Sequence, residues 1–222
     1  VARETGAQAV RLIVKDHQIR RAALRERQGR PLEILERLQA FRAQGVEVVV
    51  TVRWPEDPEA LPGEDYDAVP EGLAREQGLA ALRGFLKEAG PWMAWYQLQN
   101  EPAGGAGKYR PEHRRPGADG RIPSITWLEA LAAEADALRR SEPSLAHLRI
   151  ASAGLTGILG LAEEGDDKEV HAYVDALLAS ASRCADAVDI HLHVASLEEA
   201  KAVVTYVKAR TPKPLTCLEW SQ

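Results

Sequence analysis

The chain has 222 residues, 45% of them hydrophobic and 27% charged, which suffices for one sizeable core and a single domain. Its net charge is −5 and its pI about 5.8, and no basic stripe is interleaved with aromatics, so nucleic acid is not the expected partner. No apolar run approaches the roughly 20 residues that span a bilayer, and the two cysteines, Cys184 and Cys217, lack the spacing of a zinc site or a disulfide framework.

Short β-rich runs alternate with helical ones along the chain. The segment QAVRLIVKD (8–16) reads as a strand. The helix predicted over 31–45 carries Leu32, Leu35, Leu38 and Phe41 on one face, with proline at its start and glycine after its end. VEVVVTVRWP (46–55) reads as a buried strand, 72–90 as a helix, and WYQLQNEP (95–102) as a strand stopped by Pro102. A helix over 124–143 takes Ser124 as its expected N-cap, and LRIASAG (148–154) is the next strand. A helix over 169–184, a strand over 187–194, a helix over 196–210 opened by Ser196, and a strand over 214–220 complete the series.

Strands buried on both faces and separated by helices imply a parallel sheet. No glycine-rich phosphate turn follows the first strand, so a (β/α)8 TIM barrel is expected ahead of a flavodoxin-like or Rossmann sheet. Two long connections, 56–72 and 103–123, follow strands and are dense in Gly, Pro and charge. In a parallel barrel they lie at the C-terminal mouth, where active sites are built.

Two acids end apolar runs, Glu101 in Asn100-Glu101-Pro102 and Glu219 in LTCLEW. Strand ends of a closed barrel converge on one mouth, which allows the two carboxyls to face each other. Such a pair suits glycosidic cleavage, because facing like charges push their pKa values apart and leave one protonated and one ionised. A gap of about 5–5.5 Å gives a retaining mechanism and a wider one an inverting mechanism.

With these residues the chain resembles clan A of the glycoside hydrolases, retaining barrel enzymes with catalytic glutamates after strands four and seven. The resemblance implies Glu101 as acid/base, Asn100 as the contact to the sugar 2-hydroxyl and Glu219 as nucleophile. AVRLIV resembles the strand-two segment whose arginine steadies the nucleophile, which gives that role to Arg11. DAVDIHLHV resembles the strand-six segment that ends in histidine and tyrosine, with His191 at the histidine and His193 in place of the tyrosine. Counted this way, the chain holds strands two to seven and lacks the first and eighth. It is then expected to form an open six-stranded arc, one segment of a single catalytic barrel domain spanning 1–222. The start at Val1 without methionine leaves room for a leader and slightly favours secretion.

The remaining candidates are read more plainly. Trp54 and Trp220 end strands and are expected to stack on sugar rings or pack, Trp92 and Trp95 to sit in the core, and Cys217 to fill the barrel. Tyr109, Arg110 and His113 read as a solvated loop. His191-x-His193 is a spacing that binds metal, but satisfied histidines and sugar contacts are the expected roles. The resulting expectation is a retaining O-glycosidase acting on a carbohydrate substrate with no cofactor or metal. The alternatives are a carbohydrate-binding barrel without activity and a metal-dependent hydrolase using His191 and His193.

Overall fold

The computed structural model describes residues 8–16, 18, 19, 33–54, 68–103, 109–156, 158 and 168–221. Leu32, the side chain of Trp220 and most of the 56–72 connection lie outside the described residues. Strand and helix alternate throughout: β1 (Ala9–Lys15), α1 (Glu33–Ala43), β2 (Glu47–Arg53), α2 (Gly72–Ala89), β3 (Trp95–Gln97), α3 (Pro123–Ser141), β4 (Arg149–Ala151), α4 (Lys168–Cys184), β5 (Val188–His193), α5 (Leu197–Lys208) and β6 (Leu215–Ser221).

The strands pair in chain order and in parallel, β1-β2-β3-β4 and then β5-β6. Parallel bridges Ala151–Ala187 and Leu155–Ile190 carry the arrangement across from β4 to β5. This is the parallel α/β architecture expected from the alternation of elements. Among the described residues no ladder joins β1 to β6.

Successive strand side chains point to opposite faces, and the two faces of this sheet differ in chemistry. Val48, Val50, Val52, Tyr96, Ile150, Val188 and Ile190 join Leu82, Phe85, Leu131 and Leu177 of the helices in one apolar core. The opposite face carries Arg11, Thr51, Gln97, Asp189 and His191, of which Thr51, Gln97 and Asp189 are fully buried. Burial on both faces was legible in the strands, but the inner layer is polar.

Local signals explain most helix ends. Gly45 has φ 75°, a left-handed conformation that glycine adopts without strain, and it closes α1 with its N–H on the Arg42 carbonyl. Ser196 caps α5 by accepting the Glu199 N–H, as expected. The expectation for Ser124 is corrected: Ile122 is the N-cap of α3 and Pro123 takes the first turn, where its missing N–H costs nothing. Ser124 lies inside the helix, where its hydroxyl donates to the His113 carbonyl at 2.7 Å and meets the Tyr173 hydroxyl at 2.9 Å.

Candidate active site

Beyond Gln97, where β3 ends, two backbone hydrogen bonds still tie the chain to the segment 151–154. Leu98 N–H donates to the Ala151 carbonyl, and the Gln99 carbonyl accepts from Gly154 N–H. At Glu101 the backbone turns into the left-handed region, with φ 37°. That conformation costs a non-glycine residue about 1–2 kcal/mol, and such strain clusters at functional sites. The turn leaves the Glu101 side chain almost buried, facing β5 and β6.

Glu101 Oε1 accepts from His191 Nδ1 at 3.0 Å and lies 3.2 Å from His193 Nε2. Glu219 reaches the same place from β6, where it is the register partner of His191. Its Oε2 lies 2.7 Å from Arg11 Nη1 and 3.6 Å from His191 Nδ1, and its Oε1 lies 3.7 Å from His193 Nε2. One ligating atom from each of Glu101, His191, His193 and Glu219 falls within 4.8 Å of all the others. Arg11 spans the site: besides Glu219 it donates through Nη2 to Asn100 Oδ1 and through Nε to Thr51 Oγ1 and Gln97 Oε1. The guanidinium fork suits such multiple anchoring.

A second layer holds these groups. Gln97 Nε2 donates to Asp189 Oδ2 at 2.6 Å, and Asp189 Oδ1 accepts from Thr216 Oγ1 and Leu218 N–H. Asp189 Oδ2 also lies 3.0 Å from His191 Nε2, an ion-pair contact too bent to count as a hydrogen bond. Gly154 makes room for the imidazole. A Cβ there would overlap His191 Nε2 and Cε1 and come within 3.0 Å of Gln97 Nε2. Thr51, Gln97, Asp189 and Gly154 were missed in the sequence, although strand alternation (Gln97-x-Gln99-x-Glu101 and Asp189-x-His191-x-His193) already aligned most of them on the site face.

Burial disfavours the charged form of every group here, and ion pairing overrides it at Glu101 and His191 but not at Asp189. Burial pushes the Glu101 carboxyl up, but the donors His191 and His193 outweigh it and hold it below its ordinary value. Burial alone pushes the His191 imidazolium down, yet Asp189 and Glu101 raise it to about 9. Asp189 is pushed up by burial, which its contact with His191 only partly offsets. The resting site therefore stores a proton on His191 beside an ionised Glu101.

The structure brings Arg11, Asn100, Glu101, His191, His193 and Glu219 together, and it separates the others. Of the two roles open to Trp54, sugar platform or packing, the structure shows packing and corrects the first. Its ring is buried and meets Trp127 edge-on at 4.8 Å between centroids, over Gly78, so no ring face is open to a ligand. The expectation for Trp220 concerns a side chain outside the described residues. Trp92 and Trp95 are not core residues: Trp92 is exposed, and half-buried Trp95 stacks under the Arg149 guanidinium at 4.1 Å. Cys217 is exposed rather than filling the barrel. Tyr109 is not in a solvated loop, for it is fully buried and its hydroxyl accepts from Gln99 Nε2 at 3.2 Å. Nearby, Arg110 pairs with Glu112, and Arg114 donates to the Ala103 carbonyl.

No protein-family model matches the chain, and no curated protein matches it in sequence. Solved structures do match. A GH53 catalytic domain from Ignisphaera aggregans superposes with a TM-score of 0.50 at 17% identity, over 82% of this chain and 48% of that one. One of two fungal beta-1,4-galactanases superposes with a TM-score of 0.58 at 12% identity, over 98% of this chain and 63% of that one. An exo-beta-agarase aligns over 82% of this chain with a TM-score of 0.42. The chain thus spans less than two thirds of these structures, and its parallel α/β fold is similar to part of theirs. The expected resemblance to clan A glycosidase barrels holds at the level of fold.

Proposed function

We propose that this chain is the catalytic segment of a retaining O-glycoside hydrolase of clan A, with Glu219 as nucleophile and Glu101 as acid/base. The observation that carries the reading is that one oxygen of each carboxylate lies within 4.8 Å of the other, Glu101 from the turn after β3 and Glu219 from β6. That spacing suits the roughly 5–5.5 Å of retaining pairs and not the roughly 6.5–9.5 Å of inverting ones, which must admit a water. Arg11 pairs with Glu219 and aims it, while Asn100, anchored on the same guanidinium, presents its amide to the sugar.

Glu101 needs a proton to act as acid, and His191 Nδ1 holds one 3.0 Å from Glu101 Oε1. A sugar ring that excludes water raises the carboxyl, as does the like charge of Glu219, and both favour moving that proton onto Glu101. Glu101 then protonates the leaving oxygen as Glu219 attacks the anomeric carbon. In the second half Glu101, now a base, activates the water that releases the sugar. The galactanases among the similar structures make a β-1,4-galactan the first polymer to assay.

The test is azide rescue in Glu101→Ala and Glu219→Ala, using aryl glycosides with good and poor leaving groups. Glu101→Ala should keep its first step on activated substrates and regain turnover with azide as a retained glycosyl azide. Glu219→Ala should lose turnover on both and form no retained product. Equal losses in both variants on both kinds of substrate would sink the assignment.

A further inference from the structure

The donor atoms that face each other in the site form a cage whose size is that of a tetrahedral metal ion. Zn²⁺ with bonds of about 2.0–2.1 Å to nitrogen and oxygen sets its ligands about 3.3 Å apart. Here His191 Nδ1 lies 3.0 Å from Glu101 Oε1 and 3.6 Å from Glu219 Oε2, while His193 Nε2 lies 3.2 Å from Glu101 Oε1 and 3.7 Å from Glu219 Oε1. The two histidines meet different oxygens of Glu219, so a cage built on either oxygen has three edges that straddle the ideal, and one donor atom from each residue lies within 4.8 Å of all the others. Two imidazoles and two carboxylates are also the donor types that zinc accepts.

A second observation points the same way. The far nitrogen of His191, Nε2, lies 3.0 Å from Asp189 Oδ2, and Asp189 is itself fully buried and fixed by Gln97, Thr216 and the Leu218 N–H. The contact is an ion pair and not a formed hydrogen bond, but it puts a carboxylate in the place from which the outer partners of metal-ligating histidines fix ring orientation and raise basicity. Arg11 works against the ion, because its positive charge sits 2.7 Å from Glu219 Oε2. That repulsion argues for moderate affinity, with Glu219 binding through Oε1 while Oε2 stays on the guanidinium.

We propose that Glu101, His191, His193 and Glu219 form a binding site for one zinc-like divalent transition metal. The site stands on donor geometry alone. Its consequence rests on the proposed glycosidase function: the ion would occupy the lone pairs that Glu219 needs for attack and Glu101 needs for proton transfer. Metal binding and sugar cleavage then exclude each other, and free Zn²⁺ is a reversible inhibitor competitive with the sugar.

The experiment titrates the 222-residue chain with Co²⁺, reading the visible bands of tetrahedral cobalt, and with Zn²⁺ against a chromophoric chelator. The expected result is one ion per chain. His193→Ala, at a half-exposed position that folding tolerates, should weaken binding by more than the roughly 10–100-fold that loss of an outer-shell partner costs. His147→Ala, an exposed histidine on the Met93 carbonyl away from the cluster, should bind as the parent does. Absence of tetrahedral cobalt bands, or binding that is the same in His193→Ala, overturns the proposal. Aryl glycoside turnover separates the two readings. Loss with Zn²⁺ and recovery with chelator supports exclusion, and turnover unaffected by a bound ion refutes it. Turnover that needs Zn²⁺ keeps the metal site and removes the double-displacement reading.

Discussion

Replacing Gly154 by alanine should damage the site without touching any reacting atom. The added Cβ overlaps two atoms of the His191 ring and sits 3.0 Å from Gln97 Nε2. Neither neighbour gives way easily: His191 is buried between Glu101 and Asp189, and Gln97 is held by Asp189 and Arg11. Overpacking a closed site of this kind costs about 1–3 kcal/mol. With a urea slope of about 2 kcal/mol per molar, the unfolding midpoint should fall by roughly 0.5–1.5 M with unchanged slope. Gly84→Ala is the control. Gly84 lies inside α2 with nothing within 4 Å of the added methyl, so that change should stabilise by about 0.5–1 kcal/mol through helix propensity. The assay is equilibrium urea unfolding of both variants, followed by aryl glycoside turnover. A Gly154→Ala protein as stable as Gly84→Ala, or one with parental turnover, would refute the idea that His191 is clamped through this glycine.

Two further outcomes follow from contacts at and around the site. Arg11→Lys keeps the charge but cannot span Glu219, Asn100, Thr51 and Gln97 at once, so kcat/KM should drop by about 10²-fold from misplacement while the circular dichroism spectrum stays parental; a loss of only a few-fold counts against the positioning role. Burial pushes the Asp186 carboxyl up, but Arg139 at 2.5 Å and the Ile150 N–H outweigh it and hold it below its ordinary value. A carboxyl lowered in the folded state adds stability that is complete above its unfolded pKa of about 3.9 and is lost as pH falls through the folded value. The stability gap between the parent and Asp186→Asn should therefore be flat from pH 7 to about 4.5 and narrow below about 4, and a gap that widens on acidification would contradict this.

The order of strands and helices was legible because it rests on local physics. Periodicity, Pro123 at a helix start, Gly45 at a helix end and the Ser196 cap each act within a few residues. The polar layer beneath the acids was not legible in that way. Arg11 meets Gln97 across 86 residues and Glu219 across 208, and no local pattern encodes which polar groups will satisfy each other at such range. Buried polar side chains demand partners, so Thr51, Gln97 and Asp189 inside apolar strands had to find some, but nothing in those strands names them.

Residue parity carries most of what remained unread, up to one place where it fails. In β1, β2, β3 and β5 the even-numbered apolar residues face the helices, as with Val14, Val48, Val50, Val52, Tyr96, Val188 and Ile190. Trp54 shares the parity of Val52, which places it in the helix-side core and explains why it is no sugar platform. The odd positions Arg11, Thr51, Gln97, Glu101, Asp189, His191 and His193 make up the site face. Parity cannot place Glu219, because the β5–β6 register slips: Asp189 pairs with Thr216, while His191, two residues on, pairs with Glu219, three residues on. Before the slip an even residue, Thr216, faces Asp189; after it an odd residue, Glu219, faces His191. One extra residue in a strand re-aims the side chains beyond it. Without that residue the alternation set by Thr216 would turn position 219 toward the helices, away from Arg11 and Glu101. The irregularity that brings the two carboxylates face to face is thus a property of pairing between strands, which no reading of β6 alone contains.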